Sequence, residues 1–257
     1  MNNSAGSPII TVPSWVIAGT YAENLRFLEN KKEIDGVELL FFLYDPEIKK
    51  QFDSEWEEVW QYRDRFTFTA HLPELLYPAH DELIAQLAPL VRHFIIHPSA
   101  ENPLDQSRLL ADWTRQYDVS FLAENTNPGL LDALLPHLDI NPGLCESAPR
   151  CFASKVPLCM DTGHLLLEGK NPAAFFTKHR ENIKEIHLHG LDEKQAALDG
   201  KLIDHRRLWG NEPWLIELLP LLENYRGIIN LEMFSWEEAA ASIGILPDNF
   251  VYKKNQQ

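Results

Sequence analysis

Strand-length apolar runs alternate with helical stretches along the whole of this 257-residue chain. That alternation narrows the fold more than any other feature. Parallel strands need a long crossover between them, and a helix is the usual crossover. The runs read as strands are Ile9–Ile17 (interrupted by Pro13), Ile34–Phe42, Phe66–His71, Val91–His97, Val119–Asn125, Pro157–Asp161, Ile183–His189 and Gly227–Met233. Helices are expected at Tyr21–Glu29, Asp53–Arg63, His80–Leu90, Leu104–Gln116, Leu130–Leu138, Pro172–Lys178, Pro213–Glu223 and Trp236–Ile243. Loops are expected at Tyr44–Pro46, over the Pro-rich segment 139–155 and over the polar segment 190–210. Eight strand–helix units in about 250 residues are what a (β/α)8 barrel requires. A doubly wound open sheet competes, but it uses fewer strands, and no glycine-rich phosphate loop follows the first strand. No linker, low-complexity tract or repeat divides the chain. Residues 1–257 are expected to form one α/β domain, a single TIM barrel, with 1–7 disordered.

The formal net charge of −15 argues against a protein that grips nucleic acid through its phosphates. It is compatible with a metal site, because bound cations add positive charge that the count omits. Cys145, Cys151 and Cys159 form no CxxC pair and are too few for a disulfide framework, so a reducing compartment with free thiols is expected. The N-terminus lacks a basic then apolar leader, and no apolar run reaches about 18 residues. A cytoplasmic protein with a small-molecule substrate, no nucleic acid and no membrane partner is expected. The oligomeric state is not legible.

In a parallel barrel, side chains alternate between lumen and helix layer, and chemistry sits where the strands end. The last lumen-facing positions read Glu38, His71, His97, Glu124, Asp161, His187 and Glu232. Seven of the eight expected strands thus end in an acid or a histidine, and none ends in Lys or Arg. In VPLCMDTGHLLL, Asp161 ends an apolar run and His164 follows three residues later on the loop. The plainer reading is a turn whose Asp161 caps the next helix. One buried histidine or glutamate is usually structural. Four carboxylates and three imidazoles at one mouth would repel unless cations neutralised them. This ligand mix suits zinc, manganese or iron, and the lack of cysteine argues against a structural zinc. Glu124, central in the set, is placed to bridge two metals about 3.5–4 Å apart.

The motifs IDGVELL (34–40), MDTGH (160–164), IHLHG (186–190) and NLEMF (230–234) resemble, in order, those of the xylose isomerase-like barrel superfamily. That superfamily includes AP endonuclease family 2 and many sugar isomerases and epimerases. The resemblance spans essentially the whole chain. It implies the four ligands of the one-metal isomerases at Glu124, Asp161, His187 and Glu232. AHLP and IIHPS add His71 and His97, the two further histidines of the endonuclease branch, and His164 matches its third-metal histidine. That branch carries Asp-x-His in the loop after the seventh strand. Here Asp204 and His205 are adjacent, so the spacing departs from the pattern, and His189 is a substitute ligand or a substrate contact.

The added histidines favour hydrolysis of a phosphoester with two or three zinc or manganese ions, and Glu38, Glu124 and Glu232 as the catalytic carboxylates. The alternative is a one-metal sugar or sugar-phosphate isomerase or epimerase. A third reading is a barrel that binds a corrinoid or sugar without turnover. The acidity of the chain disfavours DNA as substrate. PSWVIAGTYAENLRFL near the N-terminus resembles the cobamide-remodelling phosphodiesterases of this superfamily, which implies the nucleotide loop of cobamides as substrate. Trp15 and Trp209 are candidates to line a pocket for a planar ligand. Arg206 and Arg207 either grip a phosphate or form a solvated pair. The remaining tryptophans and Cys159 are read as packing residues.

Overall fold

A computed structural model of the chain describes residues 7–99, 101, 103–126, 157–192 and 203–251. Its strands are β1 (Ile9–Pro13), β2 (Gly36–Leu40), β3 (Thr67–His71), β4 (Val91–Ile96), β5 (Phe121–Glu124), β6 (Leu158–Asp161), β7 (Ile183–His187) and β8 (Ile228–Asn230). They pair in parallel in chain order, and β8 closes onto β1. Helices cover the outside, so the expected (β/α)8 barrel is the observed fold. The expected helix 130–138, the segment 139–155, residues 1–6, Cys145 and Cys151 lie outside the described residues.

The paired strands are shorter than the apolar runs. β7 stops at His187 and β8 at Asn230, yet Leu188, Leu231 and Met233 beyond them are fully buried. Hydrophobic alternation reports burial, and burial continues past the last ladder hydrogen bond. Two loop expectations are corrected. The second helix runs Pro46–Gln61, because Asp45 accepts hydrogen bonds from the amides of Glu47 and Ile48 and Pro46 fills the first turn. Residues Thr162–Leu167 form a helix, so His164 lies in a first helical turn rather than on a loop.

Most of the core lies between strands and helices, where Phe41, Phe52, Phe68, Phe94, Phe121 and Phe176 are fully buried. Inside the barrel, Ile95, Leu122 and Cys159 form a separate small apolar cluster. Next to it the lumen turns polar. Thr11, Glu38, Thr69, Glu185 and Asn230 are all 0% exposed. No helix among the described residues is long and apolar enough to cross a membrane.

Candidate metal centre at the barrel mouth

The polar lumen layer is held together by its own hydrogen bonds. Asn230 donates through Nδ2 to Glu38 Oε1 at 2.9 Å and accepts from the Thr11 hydroxyl at 3.3 Å. The Thr69 hydroxyl reaches Glu185 Oε1 at 3.1 Å and Glu38 Oε2 at 3.4 Å. Burial, together with the neighbouring Glu38 charge, pushes the Glu185 carboxyl well up, so it is held protonated. Glu38 Oε2 in turn faces His187 Nε2 at 3.0 Å. Glu38 therefore sits beneath the mouth and orients the His187 ring, the usual arrangement behind a ligating histidine.

Above this layer, donor atoms gather in groups that share members. His71, His97 and Glu124 form one group, and Glu124, Asp161 and His164 another. Glu38, His187 and Glu232 form a third, and His189, His205 and Glu232 a fourth. In each, one donor atom per residue lies within 4.8 Å of the others. Cys159 also falls in a group with Glu124 and His187, though burial pushes its thiol well up and disfavours the thiolate. The carboxylate of Glu124 thus belongs to three imidazole-containing groups, two of them without cysteine.

The atoms in these groups fit a cation better than they fit each other. The His71 ring has its Nδ1 at 3.0 Å from the Leu72 carbonyl, which accepts the single proton of a neutral imidazole. Its Nε2 faces Glu124 Oε2 at 3.0 Å. The two form an ion pair when the ring is protonated, which burial opposes and the Glu124 charge favours. With a neutral ring the pairing is repulsive unless a cation lies between them. His164 Nδ1 approaches Glu124 Oε1 at 2.9 Å, and His187 Nδ1 approaches Glu232 Oε2 at 3.0 Å. His164 Nδ1, His187 Nδ1, Glu232 Oε2 and His97 Nε2 are buried and have no hydrogen-bond partner of acceptable geometry among the described residues. Buried orphaned lone pairs that converge are what a divalent ion satisfies.

The electrostatics agree. Burial alone would keep the imidazoles neutral and the carboxyls protonated, but mutual attraction overrides it. His164 is pushed up to about 10 against its desolvation, chiefly by Glu124 and Asp161. Burial likewise opposes ionisation of Glu124, yet His97, His164 and His71 hold it well below the usual carboxylate range. Asp161 is lowered by His189 and His164 against burial. The carboxylates are therefore held ionised by positive charge beside them, carried by the imidazoles or by a cation bound in place of their protons.

Asp161 caps a helix, as the plainer reading of its motif has it, and also lies in a donor group. Its Oδ1 caps the helix Thr162–Leu167 by accepting from the His164 amide at 2.7 Å. Its Oδ2 accepts from His189 Nε2 at 3.1 Å. His189 is fully buried behind Asp161, and its Nδ1 accepts from the His205 amide at 3.0 Å. Both ring nitrogens are thereby engaged within the protein, Nε2 by Asp161 and Nδ1 by the His205 amide. His189 positions Asp161. His205 adopts a left-handed backbone (φ 54°), stacks on His189 with ring centroids 4.4 Å apart, and has Nδ1 3.1 Å from the Glu232 carbonyl. Such a conformation in a non-glycine residue persists only where surrounding contacts enforce it.

The other expected site residues divide. Asp204 lies outside the donor groups, with Oδ1 3.8 Å from His205 Nε2. Of the two, only His205 falls in a donor group, with Nδ1 3.6 Å from Glu232 Oε2. Arg206 is engaged with Glu238 at 3.4 Å and Asp192 at 3.8 Å, and the Arg207 guanidinium lies 4.2 Å from the centroid of the exposed Trp209 ring. Neither arginine, nor Trp209, lines the mouth pocket. Trp15 does, with Ile17, Ala18, Phe42, His205 and Phe234, around a cavity of about 560 Å³. Sequence reading missed several supporting residues. Asn125 brackets the Asp161 backbone at both N–H and C=O, and Thr162 ties to the His187 and His189 carbonyls. Gln106 clamps the loop after β4 through the His97 carbonyl and the Ser99 amide. Glu185 was visible as the lumen neighbour two residues before His187.

No protein-family model matches the chain. An inosose dehydratase of Lacticaseibacillus casei is 41% identical over 51 residues, which is 20% of this chain. The match spans 16% of that relative's length. Among solved structures, the probable 3-DHS dehydratase AsbF of Bacillus anthracis, described as involved in petrobactin synthesis, superposes with a TM-score of 0.61. It is 13% identical, with 92% of this chain and 98% of that one covered. A sugar phosphate isomerase/epimerase of Parabacteroides distasonis gives 0.51 at 12% identity, covering 95% and 97%. The likeness is one of fold.

Proposed function

We propose that this barrel is a divalent-metal-dependent enzyme that hydrolyses a small-molecule phosphodiester. The observation that carries the reading is the Glu124 carboxylate, shared between the His71–His97 set and the Asp161–His164 set. A one-metal isomerase has no use for a carboxylate so bracketed, whereas two-metal hydrolytic sites are built around one. Ions held by these groups would supply Lewis acidity to a phosphoryl group and activate water. In hydrolysis, water adds to phosphorus, one ester P–O bond breaks, and the leaving oxygen takes up a proton. The chain's own contribution is to hold and aim the donors: Glu38 through His187, His189 through Asp161, and Leu72 through His71. His97, His164 and His205 keep 24%, 21% and 23% of their side chains exposed and edge the mouth that a substrate would enter.

The adjoining pocket supports a substrate with a flat apolar part. Trp15, Phe42 and Phe234 line it, and no Lys or Arg among the described residues does. A nucleotide loop with an aromatic base fits this lining, which agrees with the cobamide substrate implied by PSWVIAGTYAENLRFL. The names of the similar proteins favour a second reading: a sugar-type isomerase, epimerase or dehydratase using one metal at Glu124, Asp161, His187 and Glu232. Incubating metal-loaded protein with a cobamide and following products by mass spectrometry separates the two. Corrinoid cleaved at the nucleotide loop is expected. Intact cobamide, with turnover of a keto sugar or inosose instead, would establish the second reading.

A further inference from the structure

We propose that the opposite, N-terminal mouth of the barrel is a second binding site, made for a small multivalent oxyanion of the phosphate or pyrophosphate class. A cavity of about 370 Å³ opens there against Ile9, His93, Ile183 and Ile228, which lie at or near the starts of β1, β4, β7 and β8. The metal-type donors sit at the other strand ends, about 15 Å away for strands of this length. Arg92, Arg180, Lys184 and Arg226 line the cavity, against one carboxylate, Glu181. This excess occurs in a chain with 38 acidic and 23 basic residues.

Several cations elsewhere among the described residues pair with acids. Arg26 pairs with Glu58, Lys49 with Asp53, Arg108 with Asp105 and Arg206 with Glu238. Among the described residues, none of the four at the cavity does. Lys184 Nζ donates to the Glu181 carbonyl at 2.8 Å, and Arg226 to the carbonyls of Glu223 and Tyr225. The Arg180 guanidinium lies 5.9 Å from the Phe176 ring centroid. The heads of Lys184, Arg180 and Arg226 are steadied by neutral groups, and the charge of all four is left unanswered. His93 adds a buried Nδ1 with no hydrogen-bond partner. Desolvation, with Arg92 and Lys184 nearby, lowers its pKa to about 4, so at neutral pH it offers a neutral ring donor. Guanidinium and ammonium groups lining a half-open cavity of this size favour a compact anion with several oxygens.

Calorimetric titration of metal-stripped, full-length protein with inorganic phosphate, pyrophosphate and a nucleoside diphosphate, at fixed ionic strength, tests this. Arg92→Ala/Arg226→Ala is compared with wild type and with Arg108→Ala, and circular dichroism checks that each variant is folded. Pyrophosphate is expected to bind more tightly than phosphate, and the double variant to weaken it by at least about tenfold, with Arg108→Ala unchanged. Tighter binding of the nucleoside diphosphate than of pyrophosphate would identify an organic diphosphate as the ligand; the reverse would identify the free anion. Equal affinities in all three proteins, or no wild-type binding up to about 10 mM, would overturn the proposal.

Discussion

Gly163 shows how one residue can secure a site it never enters. A Cβ built there would lie 2.0 Å from His189 Cε1 and 2.6 Å from its Nδ1. The backbone at Gly163 needs no special conformation; the glycine is required because the His189 ring fills the space. Gly163→Ala is therefore expected to push His189 off Asp161 and to lower metal affinity by roughly 10-fold or more, the usual penalty for losing a residue that orients a ligand. Metal titration of folded variant against wild type checks this, and an unchanged affinity would remove His189 from its positioning role. Glu38→Gln probes the same idea below His187. It keeps the shape but weakens the charge behind the ring, so metal affinity should fall while the melting temperature stays close to wild type. Residue-level chemistry was partly legible in the sequence. Parity alone put Glu124, Asp161, His187 and Glu232 together at the mouth. It could not reveal that His189 turns behind Asp161 or that Asp204 lies outside the donor groups, because both depend on loop backbone that no strand periodicity governs.

At the level of elements, capping decided what hydrophobic periodicity left open. Asp45 begins a helix of 16 residues, although the apolar pattern becomes regular only further along it. Asp45→Ala removes the acceptor for two amides and is expected to destabilise the protein by about 1 kcal/mol, read from denaturant unfolding. Asp161 caps in the same way, but its second oxygen belongs to the donor cluster. An element boundary and a member of a donor group coincide in one side chain there, which is why the MDTGH stretch admits a structural and a chemical reading. The strands were legible as apolar runs, but not their ends, since Leu188 and Leu231 stay buried after the ladders stop.

Across the whole molecule, the two mouths of the barrel carry opposite electrostatic problems: carboxylates in excess at one, unpaired cations at the other. The fold itself was legible from the eightfold alternation, because a closed parallel sheet is the simplest way to bury every one of those runs. The basic mouth was not, since Arg92, Arg180, Lys184 and Arg226 are scattered in sequence and meet only on closure. His93 gives it a measurable pH signature. Its folded pKa, about 4, lies below the ordinary 6.5, so between these values the unfolded chain binds the proton and the folded chain does not. Stability from this group is intact above pH 6.5 and is lost as pH falls towards 4. Relative to wild type, His93→Gln should gain about 2 kcal/mol between pH 7 and pH 4.5. A pH-independent difference would place His93 in ordinary solvent.

Elemental analysis of purified protein counts the metals directly, and His71→Ala makes the count diagnostic. Two or more divalent ions per wild-type chain are expected, with one fewer in His71→Ala and phosphodiesterase activity lost with it. One ion per chain, unchanged in a folded and fully active His71→Ala variant, would contradict a hydrolytic centre built around Glu124.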